Sequence, residues 1–150
     1  MDLYASVRQD VARALKIRPK SPDALRTLAE ALRRCVRTTN ALKASAGVLR
    51  DCLRANPDDG GCRRQLRRDQ SLLTLINDAA SAERTGDYDA AMASLVDFGR
   101  KDVRRLFRAG TDAALCRVSS LAARRKRAAR AARGRGRKGG AEGGADEDEW

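Results

Sequence analysis

Two stretches of helical periodicity meet at Gly86-Asp87, and that junction restricts what the chain can become. Upstream, "SLLTLINDAASA" carries Leu72, Leu73, Leu75, Ile76, Ala79, Ala80 and Ala82. Downstream, "YDAAMASLVDF" carries Tyr88, Ala91, Met92, Leu95, Val96 and Phe98. Both follow the i, i+3, i+4, i+7 rhythm of a helix with one apolar face. A glycine between them accepts the left-handed conformation that ends a helix and lets the chain reverse. Helices joined by so short a link lie antiparallel. The segment therefore reads as one helical hairpin.

The pattern recurs upstream. "NALKASAGVLRDCLRANPDD" places Leu42, Ser45, Leu49, Cys52 and Leu53 on one face and stops at Asn56-Pro57. Before it, "SPDALRTLAEALRRCVRTT" opens with Ser21 as a cap and Pro22 at the first helical position. Its apolar face is Leu25, Leu28, Ala29, Leu32 and Val36. Thr39-Asn40 then reads as the counterpart of Gly86, since Asn is the next most tolerant of a left-handed turn. Further upstream, Tyr4, Val7, Val11, Ala14 and Leu15 share a face that closes at Pro19. That segment reads as the second helix of a hairpin lacking its first.

Composition supports an all-α reading. Apolar residues make up 42% of the chain and aromatics only 3%, which favours helices packed through Ala and Leu over a β-sandwich. No run of 18 apolar residues exists, so no membrane span is expected. The N-terminal stretch is charged throughout and does not read as a signal peptide. The chain contains no His, which removes the usual general base and the commonest metal ligand. The four cysteines form no C-x-x-C pair, so no zinc site or other metal and no cofactor is expected, and the reading is non-enzymatic.

Repeated hairpins are the signature of a helical array in which each unit buries its face on its neighbours. Here the residues resemble the tetratricopeptide repeat (TPR). "GDYDAA", from Gly86, is similar to that family's turn and second-helix start. "AGVLRDCLRANPDD" is similar to a second-helix end with its terminal proline, and "ALKIRPKSPDALRTLAEAL" to a junction between repeats. The spacing departs from the family period of about 34 residues. Pro19 to Pro57 is 38 residues and Asn40 to Gly86 is 46, which implies an extended helix from about Gly61 to Ala82.

That long helix, with a Cys near the end of the preceding one and another at its own start, resembles the repeat region of the endoplasmic-reticulum J-domain co-chaperones that inhibit the interferon-induced kinase. The resemblance covers roughly residues 7–116. It implies chaperone or co-chaperone protein binding of a client or partner polypeptide, and an Hsp70 system reached through a full-length relative. It also implies the endoplasmic-reticulum lumen, whereas the absent signal peptide implies cytoplasm or nucleus if the chain is complete. No J domain is present, and without His the loop that stimulates an Hsp70 ATPase is missing. Cys52 and Cys62 flank a tight connection between antiparallel helices. They can form a disulfide in an oxidising compartment, or Cys52 can serve as a small packing residue. Cys35 and Cys116 have no evident mate.

Some motifs weigh little. Asn77 falls where repeats that bind chaperone tails place a clamp residue, but the companion positions read Glu30 and Arg34, so no clamp is expected. Asp87 and Asp89 read as acids favoured by a helix N-terminus, not as a catalytic pair.

Charge is uneven along a chain of net +12. Residues 117–138 hold ten Arg or Lys and no acid, whereas residues 139–150 hold five acids and no base. Arg124, Arg125, Lys126, Arg127, Arg130, Arg133, Arg135, Arg137 and Lys138 form a candidate nucleic-acid-binding segment that would neutralise phosphates without sequence choice. No aromatic is interleaved to stack on bases. A helix can run to about Arg130, and beyond it the glycines argue against order.

The expected architecture is thus an all-α TPR-like array of antiparallel hairpins over residues 1–118, followed by a largely disordered charged tail over 119–150. The expected function is a protein–protein interaction scaffold. Glu30, Arg34, Arg37, Leu73, Ile76, Ala80 and Glu83 would line its concave, partner-binding groove. The alternative is RNA or DNA binding through the basic tail.

Overall fold

The structure is a computed structural model that describes residues 3–102 and 104–138. Its elements are α1 (Leu3–Ile17), α2 (Pro22–Ala31), a π-helical turn (Leu32–Val36), α3 (Thr39–Ala55), α4 (Gly60–Thr85), α5 (Tyr88–Lys101) and α6 (Arg108–Lys138). Among the described residues there is no strand, and no helix is long and apolar enough to cross a membrane.

The starts of α2, α3, α4 and α5 are chemically marked. Ser21 Oγ accepts from the Ala24 N–H, Thr38 Oγ1 from Ala41, Asp59 Oδ1 from Cys62 and Asp87 Oδ1 from Ala90. Each bond satisfies a backbone donor that the first turn leaves without a partner. Gly86 ends α4 at φ +77°, and the Gly86 and Asp87 N–H groups close back onto the Glu83 and Ala82 carbonyls at 3.1 and 2.9 Å. This is the reversal that the periodicity around Gly86 calls for. At the other junction, Asn56 ends α3, and its side-chain amide donates to the Lys20 carbonyl at 2.8 Å, pinning the α1–α2 turn.

The helices pack mainly on their neighbours in sequence, so the core is a row of three clusters. Ala29, Ala46, Leu49, Cys52, Cys62 and Leu66 join α2, α3 and α4. Leu42, Leu72, Phe98 and Phe107 join α3, α4, α5 and the segment before α6. Phe98 and Phe107 meet edge to face with ring centroids 5.9 Å apart. Ala79, Ala91, Leu95 and Val118 join α4, α5 and α6. The abundance of Ala at these contacts lets the helix axes approach closely.

Three local expectations are corrected. The residue with left-handed backbone between the first hairpin's helices is Arg37, at φ 53°, and not Thr39 or Asn40, which lie inside the first turn of α3. Val36 is not on the buried face: it is 40% exposed, while Arg33 is buried. Arg33 keeps ordinary i+4 spacing from the buried Ala29, whereas Val36 falls at the end of the π-helical turn, whose wider winding carries it off that face. The third concerns the tail. α6 crosses the expected boundary at 118/119 and continues to Lys138, because Val118 and Ala122 are buried against the body and Ala-rich sequence propagates the helix. The Gly-rich and acidic part of that tail, residues 139–150, lies outside the described residues.

Candidate functional site

The expected groove residues divide among three places. Arg37, Ile76, Ala80 and Glu83 line one cavity of about 400 Å³, which opens between α4, α5 and the start of α6. Its floor is apolar: Ile76, Leu95, Phe98 and Phe107 contribute, with Gly110 and Ala114 of α6 opposite. Small residues on two facing helices create the space, since the Ala80 methyl is too small to fill it and Gly110 has no side chain. One rim is closed by a two-pronged ion pair. Arg117 Nε and Nη2 donate to Glu83 Oε1 and Oε2 at 3.0 and 2.9 Å. The hydrogen bond from Arg117 holds the Glu83 carboxyl below its ordinary range, and the same bond raises Arg117.

Glu30, Arg34 and Leu73 are not brought to that cavity. Leu73 is half-buried between the first two core clusters. Glu30 and Arg34 line a different cavity of about 410 Å³ beneath α1, with Leu3, Val7 and Cys35. Arg34 Nε donates to Glu30 Oε1 at 2.5 Å.

A buried polar network went unpredicted. Asp69, fully buried in the middle of α4, accepts from the Ser45 hydroxyl at 2.6 Å and from Arg33 Nη1 at 3.1 Å. Arg33 also donates through Nη2 to Glu30, and Glu30 additionally accepts from Gln65 at 3.2 Å and Arg104 at 2.8 Å. Burial works to raise the Glu30 carboxyl, but Arg33, Arg34 and Arg104 together hold it below its ordinary value. Burial pushes Asp69 the other way, above its ordinary range, against the Ser45 hydrogen bond and the Arg33 charge. The available signal was a polar residue inside an apolar stripe. Asp69 follows Cys62 and Leu66 and precedes Leu72 at helical spacing.

Cys52 and Cys62 are joined in a disulfide with Cα atoms 6.5 Å apart, and both are fully buried. Asp59 lies beside them, with one carboxylate oxygen within 4.8 Å of both sulfurs. With the sulfurs bonded to each other, this set offers no thiolate to a metal. Cys35 and Cys116 are free thiols.

The candidate nucleic-acid segment is helical in α6. Arg124, Lys126, Arg127, Arg130, Arg133 and Arg135 are exposed and spread around much of the helix. Arg125 differs, because it turns back to the body. Its guanidinium donates to the Gly86 carbonyl and lies 6.0 Å from the Tyr88 ring centroid. Arg137 and Lys138 are within the helix, in its last turn.

Searches against protein-family models, curated proteins and solved structures return no match for this chain.

Proposed function

We propose that the chain is a non-enzymatic helical scaffold, a short TPR-like array, that binds a partner or client polypeptide by seating an apolar side chain in the cavity between α4, α5 and α6. The observation that carries this reading is the cavity itself. At about 400 Å³ it falls within the range of binding pockets, its floor is apolar, and charged groups stand at the rim. An extended segment could place an apolar anchor over Ile76 and Phe98 and meet Arg37 with a polar group. Chaperone-like binding of unfolded segments needs no more than this: apolar capture with little side-chain selectivity. The test uses the full chain to suppress aggregation of a heat-denatured reporter protein and to bind a labelled apolar peptide. Ala80→Trp, which fills the cavity from an exposed position, should remove both activities while helicity is kept. Full activity in that variant would discard the reading.

A second reading rests on α6. From Arg117 to Lys138 the helix carries ten basic residues and no acid. Such a helix would attract nucleic-acid phosphates, with log affinity falling linearly against log salt. Anisotropy titrations with single-stranded RNA and duplex DNA test it. Sequence-blind binding that is lost in Arg124→Glu/Arg127→Glu/Arg130→Glu supports it, and salt-independent binding removes it.

A further inference from the structure

A third cavity, of about 210 Å³, lies where the π-helical turn, α4 and the α5–α6 connection meet. Its lining is unusual in charge. Arg33, Arg68, Lys101 and Arg104 face it, against only two carboxylates, Glu30 and Asp102. Neither carboxylate is idle. Asp102 accepts from the Leu106 and Phe107 N–H groups at 3.1 and 2.8 Å, turning the chain into α6. Glu30 already serves Arg33, Arg34, Gln65 and Arg104.

The cations, by contrast, have capacity left. Arg68 makes no hydrogen bond among the described residues; its charge acts only at a distance on the neighbouring Asp69 carboxyl. Lys101 has only a neutral partner, the Ser71 hydroxyl at 2.9 Å. Arg104 reaches Glu30 through a single nitrogen at 2.8 Å. Arg33 is nine-tenths buried, held in place by Asp69 and Glu30, and its Nε has no acceptor. A buried donor without a partner is costly, and its persistence beside a cavity calls for an acceptor.

We propose that this cavity binds a phosphoryl group carrying two negative charges, either inorganic phosphate or the phosphate monoester of a modified partner side chain. A dianion with three terminal oxygens matches a ring of Arg68, Lys101 and Arg104 better than a carboxylate, which would leave the surplus charge uncompensated. Arg104 can exchange one anion for another without stranding Glu30, which keeps Arg33 and Arg34. The ligand would tie α4 to the connection between α5 and α6. This site is separate from the apolar groove, sharing only Phe107 with it.

The experiment measures thermal shift and calorimetric binding on the full chain at about pH 7.5, where phosphate is mainly dianionic. Probes are inorganic phosphate, sodium chloride at equal ionic strength, and a phosphoserine peptide with its unmodified form. Phosphate should raise the midpoint where chloride does not. Arg68→Ala/Lys101→Ala, which removes no hydrogen bond of the buried network, should weaken binding by at least about tenfold. Arg124→Ala/Arg127→Ala on α6 should leave it unchanged. Tighter binding of the phosphopeptide than of inorganic phosphate assigns the site to a modified partner; equal or weaker peptide binding assigns it to the free anion. The proposal is overturned if chloride gives the same shift, if Arg68→Ala/Lys101→Ala binds phosphate like the parent, or if the α6 variant abolishes the response.

Discussion

The Ser45 hydroxyl donates to the Asp69 carboxylate at 2.6 Å across the α3–α4 contact, and both side chains are fully sealed from solvent. The pair stands between the first two apolar clusters, where a polar group must be satisfied or excluded. Its other support is Arg33, also buried, so the three residues lock the π-helical turn, α3 and α4 into one register.

Ser45→Ala should therefore cost about 1–3 kcal/mol at pH 7, the penalty for stripping a partner from a buried acceptor. The pH dependence has a definite sign. Asp69 is raised in the folded state, mainly by burial. Such a carboxyl contributes stability that is fully present below its unfolded pKa and is lost as pH rises through its folded pKa. Removing a hydrogen bond from the ionised form raises Asp69 further. Urea unfolding should thus show a larger cost at pH 7 than at about pH 4, near the unfolded value. Equal costs at both would mean that Asp69 is neutral throughout.

Two glycine substitutions should move stability in opposite directions. Gly86→Ala places a side chain at φ +77°, and its Cβ would meet Arg125 Nη1 at 2.9 Å. The left-handed conformation alone costs about 1–2 kcal/mol. Gly99 sits inside α5 with open space around it, so Gly99→Ala should stabilise by about 0.5–1 kcal/mol. Thermal midpoints of the two variants decide the matter, and a neutral Gly86→Ala would count against the α4–α5 turn described above.

Reduction of Cys52–Cys62 should lower stability by about 2–3 kcal/mol, because the bridge closes a loop with a sequence separation of 10. Denaturant midpoints with and without reductant give the value. An unchanged midpoint would mean that packing of the two sulfurs, not the covalent link, holds the α3–α4 corner.

Truncation should separate the two halves of α6. Removing residues 127–150 leaves Val118, Ala122 and Arg125 in place, so thermal stability should change little. Removing residues 119–150 also deletes Ala122, which is buried, and Arg125, which is bonded to Gly86, and should lower the midpoint by several degrees. Equal midpoints for both truncations would show that the α6 contacts beyond Val118 contribute nothing.

Features set by neighbours in the chain were legible in the sequence. The reversal at Gly86, the caps at Ser21 and the stop at Asn56-Pro57 each follow from a few adjacent residues. So does the closeness of Cys52 and Cys62, which a short connection brings together. What escaped was set by geometry that no local pattern records. A π-helical turn has no sequence mark here, and its wider winding carries Val36 off the buried face. The groove residues divide without any such local mark: Glu30 and Arg34 lie beneath α1 and Leu73 packs on the core, while Arg37, Ile76, Ala80 and Glu83 come together. The extent of α6 is hidden by its glycines, because the contacts that anchor the helix, at Val118 and Ala122, lie upstream of them.

Because each helix rests mainly on the next one in the chain, nearly all of this fold can form by local search. Low contact order of that kind predicts folding in microseconds to milliseconds and openings that start at the ends. The Glu30–Arg104 pair is an exception, bridging 74 residues of sequence. A contact that distant forms late, so it should have little effect on the rate of folding and a larger one on the rate of unfolding. It would act as the clasp of an otherwise open chain, and α1, which lies outside the clasp, would be the first segment to exchange its amide hydrogens.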